Sequence, residues 1–494
     1  MVDKVDRVDG VDNVTKIRNF ISCRRVYQLM RLFIAILCLF FLVTSCRKEG
    51  FITSPGARLS ISADTLHFDT VFTSTGSITY FFSIFNENDQ KLLLNNVTLA
   101  GGASSAFKIN VDGFKGPSVS NLEIDPNDSL HVFVNVSIDP SAANLPFVIQ
   151  DSIKVEYNGN TRWIQLDAWG QNANFLRSKI ISANETWTNN RPYIILGGLL
   201  VDTNVTLTID KGCRIYVHAD APIVIDGTLI TNGEKYDSTK VIFRGDRLDD
   251  PYRDFPAGWP GIFFRGQSKD NMLTYTIVKN AFQGLVTDQP SVNANPKLTL
   301  KQCEVDNCYD AGLLALRSSI TAENTLVSNC GKNIILAYGG NYDFTHCTSV
   351  AYSNLFLQHK EPVLLITNFI KQDATFLTAD LNAIFKNCIF WGDNGTVEDE
   401  VVTGKQGTNP YSLIFQNCIW KVKTTPGNIS SATNILPNQD PLFDSVNNQR
   451  RFYNFRLKEG SPAIDFGFVT GLSVDLDGNS RAIGNPDLGP YEKQ

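Results

Sequence analysis

The groups in this 494-residue chain best placed to give and take protons are carboxylates and amines between residues 249 and 373. Asp249 and Asp250 are adjacent within RLDDPYR, and Glu304, Asp306 and Asp310 crowd into residues 304–310. Arg265, Lys279, Lys301, Arg317 and Lys371 are interspersed with them, and Asp373 follows the last. Histidine offers less: His67, His131, His218, His346 and His359 all stand away from any motif serine or cysteine nucleophile. Asp475-x-Asp477-Gly478-Asn479 has the alternate carboxylates that suit a hard cation. Pro486 and Asp487 occupy the region where the closing bidentate acid belongs, so a polar turn capping the C-terminal region is expected instead.

Cysteine chemistry is limited by number and spacing. Beyond Cys46 the chain carries Cys213, Cys303, Cys308, Cys330, Cys347, Cys388 and Cys418, an odd set that cannot pair completely. No C-x-x-C or His-x-x-x-His occurs, which argues against zinc. A Cys308–Cys330 disulfide is the one pairing the spacing leaves open, against a reading of all seven as small apolar fillers.

The elements that must position these groups are announced by a repeat. FKNCIF at 385–390 returns as FQNCIW at 415–420, with looser copies VDNC at 305–308, VSNC at 327–330, VKNA at 278–281 and FTHC at 344–347. A short β-type run ending in Asn plus a small residue, recurring every 20 to 30 residues, marks a solenoid of stacked units. Short apolar triplets from residue 192 onward leave no room for crossover helices. Asn280, Asn307, Asn329, Asn387 and Asn417 are expected to form one asparagine ladder at the bends, in left-handed backbone conformation. The cysteines beside them are expected to face the core.

Upstream, residues 57–172 read as strands at sandwich spacing, and Asn158-Gly159 is a strong two-residue hairpin signal. An immunoglobulin-like sandwich is expected there, without the paired cysteines of antibody domains. Residues 1–45 read as leader and signal peptide, with a true start possible at Met30. Arg24, Arg25 and Arg31 precede the apolar run LFIAILCLFFLV at 32–43, and Thr44-Ser45-Cys46 ends it in the manner of a lipobox. The run is too short to span a bilayer comfortably. Cys46 is therefore the expected lipidation site, with residues 46–56 as tether, and the expected location is a bacterial outer membrane, on its periplasmic or cell-surface face. Removing residues 1–45 takes away seven basic and four acidic residues, so the net charge of −6 becomes about −9. No basic stripe with interleaved aromatics appears, and nucleic acid is not an expected partner.

The segments LTIDKGCRIY at 207–216, IDGTL at 225–229 and WPGI at 259–262, with the Asn-Cys repeats, resemble the right-handed parallel β-helix proteins of the pectate-lyase-like superfamily. They look most like its lipoprotein members from Bacteroidetes-type bacteria, whose C-terminus resembles residues 461–492 here. The expected fold is thus all-β, a right-handed parallel β-helix over 185–494 with a C-terminal cap, preceded by the sandwich. The resemblance implies a basic residue that takes the proton α to a uronate carboxylate, often beside Ca²⁺ held by Asp residues on one face. Asp249 and Asp250 resemble the adjacent aspartates of inverting β-helix glycosidases, although the Asn-Thr-Asp and Gly-His-Gly motifs of that group are absent. The catalytic candidates are Asp249, Asp250, Lys279, Asp306 and Asp310, with no cofactor required unless Ca²⁺ serves. Tyr252, Phe255, Trp259, Trp391 and Trp420 are candidates to stack on sugar rings or, equally, to fill bends and core. The expected function is carbohydrate or matrix-polymer binding. Its alternatives are a polysaccharide lyase or glycoside hydrolase acting on a uronate-rich glycan, and a structural protein of the envelope.

Overall fold

A computed structural model of the chain describes residues 50–72, 77–138, 147–393 and 395–494. Cys46 and the leader lie outside the described residues. The chain divides into two compact units, one of residues 50–66, 80–134 and 151–165, the other of the remainder. Among the described residues there is no α-helix.

The N-terminal strands form two five-stranded sheets. One orders Leu59–Ile61, Tyr80–Asn86, Ser129–Val136, Phe107–Val111 and Phe114–Lys115; the other orders Thr65–Phe72, Asn160–Gln171, Phe147–Tyr157, Leu92–Leu99 and Ser118–Ile124. Period-two alternation places the core: Leu130, Val132, Val134 and Val136 are buried, while His131, Phe133 and Asn135 between them are exposed. Asn158 and Gly159 both take positive φ, as a two-residue hairpin turn of this hand requires.

From Asn174 the chain winds into a parallel β-helix solenoid, a sheet of 24 strands. Strands in successive coils stack in register on three faces. One face stacks Arg214–Val217, Val241–Gly245, Thr276–Lys279, Glu304–Asp306, Leu326–Ser328 and Thr348–Ala351. The next in chain order runs through Ile262–Phe264, Gln283–Asp288 and the first half of Ala311–Glu323. The third runs through Leu298–Lys301, the second halves of Ala311–Glu323 and Lys332–Thr345, then Leu381–Lys386 and the first half of Tyr411–Trp420. Register stacks like on like inside: Phe344, Phe385 and Phe415 are fully buried partners, the last two with ring centroids 4.9 Å apart and planes 12° from parallel. Truncating such a ring costs about 3–5 kcal/mol, because a closed coil cannot collapse into the gap.

The expected single ladder is two. Asn280, Asn307 and Asn329 follow strands of the first face and occupy the corner leading to the second. Asn387 and Asn417 follow strands of the third face and turn the chain into the first, and that corner also carries Tyr275, Gln302, Asn324 and His346. All nine residues have positive φ between 41° and 62°. The two corners share one local rule, a left-handed residue followed by a small side chain facing inward, which is why their motifs look alike. The seven cysteines are all buried and free. Cys308 and Cys330 form no disulfide; the Cys308 backbone N–H donates to Cys330 Sγ at 3.4 Å.

The C-terminal segment lies along the second ladder across several coils. The side-chain amides of Asn324, Asn387 and Asn417 donate to the carbonyls of Val474, Phe468 and Phe466. Arg481, 4% exposed, closes the arrangement by donating to Asn324 Oδ1, Gly489 O and Glu492 Oε2. Asp475 accepts from the backbone N–H of Asn479 and Glu492, and Asp477 pairs with Arg456 at 2.6 Å. Both carboxylates of the calcium-like run are therefore occupied in holding this segment.

Candidate functional site

Strands Thr276–Lys279 and Glu304–Asp306 are neighbours on the first face, with Lys279 opposite Asp306. Val278 and Val305 point inward and are 1% exposed, so the alternation turns Lys279 and Asp306 outward. They stand one residue before the corner at Asn280 and Asn307, where Asn307 Nδ2 donates to Asn280 Oδ1 at 2.9 Å. Neighbouring coils are about 4.8 Å apart, so the two side chains emerge side by side.

Three separate segments wall them in. Residues 250–254 include the short 3-10 turn Tyr252–Asp254, and Phe356 comes from a loop of a later coil. Arg450 and Arg451 come from the tip between antiparallel strands Phe443–Asn447 and Phe452–Leu457. Together they enclose a pocket of about 350 Å³, which falls within the size of small-molecule sites. Arg451 anchors the far wall: it donates to Asp254 O at 3.0 Å, lies 3.5 Å from the Asp254 carboxylate and stacks 4.5 Å over the Phe356 ring.

The electrostatics of the central pair are unusual for a solenoid surface. Among the described residues the Lys279 ammonium makes no hydrogen bond or ion pair. Burial, helped by the nearby Arg244 charge, lowers its pKa below the ordinary lysine value, against the pull of Asp306, Asp254 and Glu304. Burial raises the Asp306 carboxyl above the ordinary carboxylate value, against a hydrogen bond from Ser328 Oγ at 2.8 Å and the charge of Lys279. An amine that releases its proton more readily beside a carboxyl that keeps its proton longer is an arrangement suited to general base and acid work.

The other candidates are dispersed. Asp249 is held bidentately by Arg247 at 2.7 and 2.8 Å, whereas Asp250 lines the pocket and pairs with Arg253 at 2.8 Å, so the adjacent aspartates do not work as one pair. Asp310 accepts from Gln283 and Lys332, and Glu304 accepts from Lys240 at 2.9 Å. Arg265 pairs with Asp226, and Lys301 lies 3.8 Å from Glu323. Lys371 and Asp373 sit on a projecting hairpin, Asp373 at its turn with φ of 55°. Trp259 and Trp420 are buried inside the coils, and Trp391 is buried on the outside of the first face under Phe443, Phe455 and Leu457 of the C-terminal segment, so none presents a face to a sugar. Tyr252 is exposed but covered by the Arg247 guanidinium, 4.0 Å above its ring. Sequence reasoning missed Asp254, Arg450 and Arg451. The two arginines arrive from a segment about 170 residues beyond Lys279, and no local signal marks them.

Among the described residues no group of three or more His, Cys, Asp or Glu side chains could hold a metal ion.

No family model and no curated protein matches the chain. Among solved structures, a family 123 glycoside hydrolase from Clostridium perfringens is 14% identical over 24% of this chain, with a TM-score of 0.19, and the match spans only 30% of that enzyme. The catalytic unit of a GH87 alpha-1,3-glucanase from Streptomyces thermodiastaticus is 11% identical over 72% of this chain and 88% of its own, with a TM-score of 0.22. The ASH / PapD-like domain of human CEP192 is 10% identical over 26% of this chain and 94% of its own, with a TM-score of 0.17. At scores this low the likenesses add nothing to the chemistry of the pocket.

Proposed function

We propose that the solenoid is a carbohydrate-acting unit that cleaves a uronate-bearing glycan by β-elimination in the Lys279–Asp306 pocket, on a protein held at the outer membrane by a lipid on Cys46. The observation that supports this most is the unpaired Lys279 amine directly opposite a carboxyl whose pKa is raised.

The chemistry assigns each group a task. Arg450, whose guanidinium has no partner among the described residues, and Arg451 receive the uronate carboxylate and draw charge from the adjacent carbon. Lys279 Nζ takes the proton α to that carboxylate. The C4–O4 bond breaks as the C4=C5 double bond forms, and protonated Asp306 gives its proton to the departing oxygen. No water enters, and each proton has a named source and destination.

A second reading is binding without turnover. It draws support from the Ser328 hydrogen bond, which favours ionised Asp306 and thereby a permanently protonated Lys279. Incubating the protein with uronate polymers and reading the ultraviolet absorbance of the unsaturated product separates the two. Absorbance that grows with time supports elimination, and retention of polymer without absorbance supports binding. If polymer is neither cut nor held, both readings fail.

A further inference from the structure

On the third face, starting in the turn of the solenoid that carries Asp306 and extending over the following coils, lies a larger cleft of about 790 Å³. Its floor is a row of register partners on four consecutive coils: Ser319, Asn341, Asn382 and Ser412. Stacking repeats these hydroxyl and carboxamide groups about every 4.8 Å along the solenoid axis. Asn382 Nδ2 donates to Asn341 Oδ1 at 2.8 Å, which aligns the two amides and leaves the Asn341 N–H groups and Asn382 Oδ1 facing outward. Gly340 lets the floor lie flat: its φ is 124°, and a Cβ there would stand 2.4 Å from Ser318 O.

Ser318 and Tyr411 also border the cleft, but they share the phase of inward-facing Ile320 and Leu413, so their buried hydroxyls, without a hydrogen-bond partner among the described residues, belong to the coil interior. The cleft is much more sparsely charged than the first pocket, which three acidic and three basic side chains line. Among the described residues, Arg317 and Asp380 are the only charged side chains in its lining and are of opposite sign. Asp380 already accepts from Asn409 at 3.0 Å, and Arg317 lies 5.6 Å over the Tyr338 ring.

We infer that this cleft is a second carbohydrate site, taking a neutral, hydroxyl-rich saccharide chain that runs along the solenoid axis. Amide and hydroxyl rows match sugar hydroxyls, the partly exposed Tyr338 supplies apolar surface, and the sparse, balanced charge gives no preference for an anionic chain. The inference stands apart from the elimination chemistry, since none of its residues lines the Lys279 pocket.

The test titrates the full protein with neutral gluco- and xylo-oligosaccharides and, in parallel, with oligogalacturonate. Asn341→Ala/Asn382→Ala and Arg317→Ala all replace exposed side chains, and thermal melts confirm that they fold. We expect a neutral oligosaccharide to bind, the double variant to weaken it about tenfold or more, and Lys279→Met to leave it unchanged. The inference is overturned if no neutral oligosaccharide binds, if the double variant and Arg317→Ala bind as tightly as the parent, or if oligogalacturonate displaces the neutral ligand at this cleft. Loss of elimination in Lys279→Met with neutral binding intact would confirm that the two sites are independent.

Discussion

Lys279 and Asp306 are register partners on adjacent coils, yet among the described residues neither is in an ion pair. Opposite charges across neighbouring strands ordinarily attract into a pair worth about 0.2–1 kcal/mol. Here burial opposes both charges at once, so the amine is less basic and the carboxyl less acidic than on an open surface. That shared cost makes the pair available for proton transfer.

Elimination by this pair should show a bell-shaped pH dependence of kcat/KM. Its acid limb belongs to Asp306, displaced above the ordinary carboxylate value, and its alkaline limb to Lys279, displaced below the ordinary lysine value. In Asp306→Asn the rate should fall about 10²- to 10⁴-fold, and what remains should rise with pH, because only the loss of the Lys279 proton then matters. Steady-state rates across the pH range decide this; a residual rate that still falls at high pH contradicts the assignment.

His346 should make the protein acid-sensitive. Its imidazole stands in the second ladder, donating from Nδ1 to Asp487 O and accepting the Asn387 amide on Nε2, so both nitrogens are satisfied only in the neutral form. Burial, with the Arg481 charge nearby, pushes its pKa down to about 3. The unfolded chain therefore takes up this proton first, and stability is lost as pH falls below about 6.5, by roughly 2 kcal/mol at pH 5. Other coils place Asn at this corner, so His346→Asn should fold and lose that much less between pH 8 and pH 5 in urea melts. Equal losses in parent and variant would remove His346 as the cause.

The thiols should behave as core. Cys213, Cys303, Cys308, Cys330, Cys347, Cys388 and Cys418 are buried, and burial raises the pKa of Cys213 and Cys303 to about 12. A thiol reagent should find none of the seven in the folded protein and all seven after denaturation without reductant. Finding five would mean a disulfide.

Lipidation is tested at one residue. Cys46→Ser should move the protein from the membrane fraction to the soluble fraction and abolish incorporation of labelled fatty acid. Unchanged membrane association in that variant would exclude Cys46 as the anchor.

The solenoid was legible because parallel stacking repeats one pattern per coil: Phe344, Phe385 and Phe415 lie in matching motifs and stack. The ladder was half legible. Asn329 and Asn387 look alike locally, and only the phase of the three faces separates their corners. That phase is obscured because the chain inserts a loop and a hairpin between strands Thr348–Ala351 and Leu381–Lys386. Asp250, Lys279 and Asp306 could each be named from sequence, but their convergence depends on a wall supplied by Arg450 and Arg451. Closure of a pocket by a distant hairpin follows from tertiary packing and leaves no periodic trace.

The most direct measurement incubates parent, Lys279→Met and Asp306→Asn proteins with polygalacturonate and other uronate polymers, and follows the absorbance of unsaturated uronate. The account predicts product from the parent, a loss of at least about a hundredfold in each variant, and melting temperatures within a few degrees of the parent's. Product formed at the parent rate by Lys279→Met, or none from the parent on any uronate polymer, would contradict it.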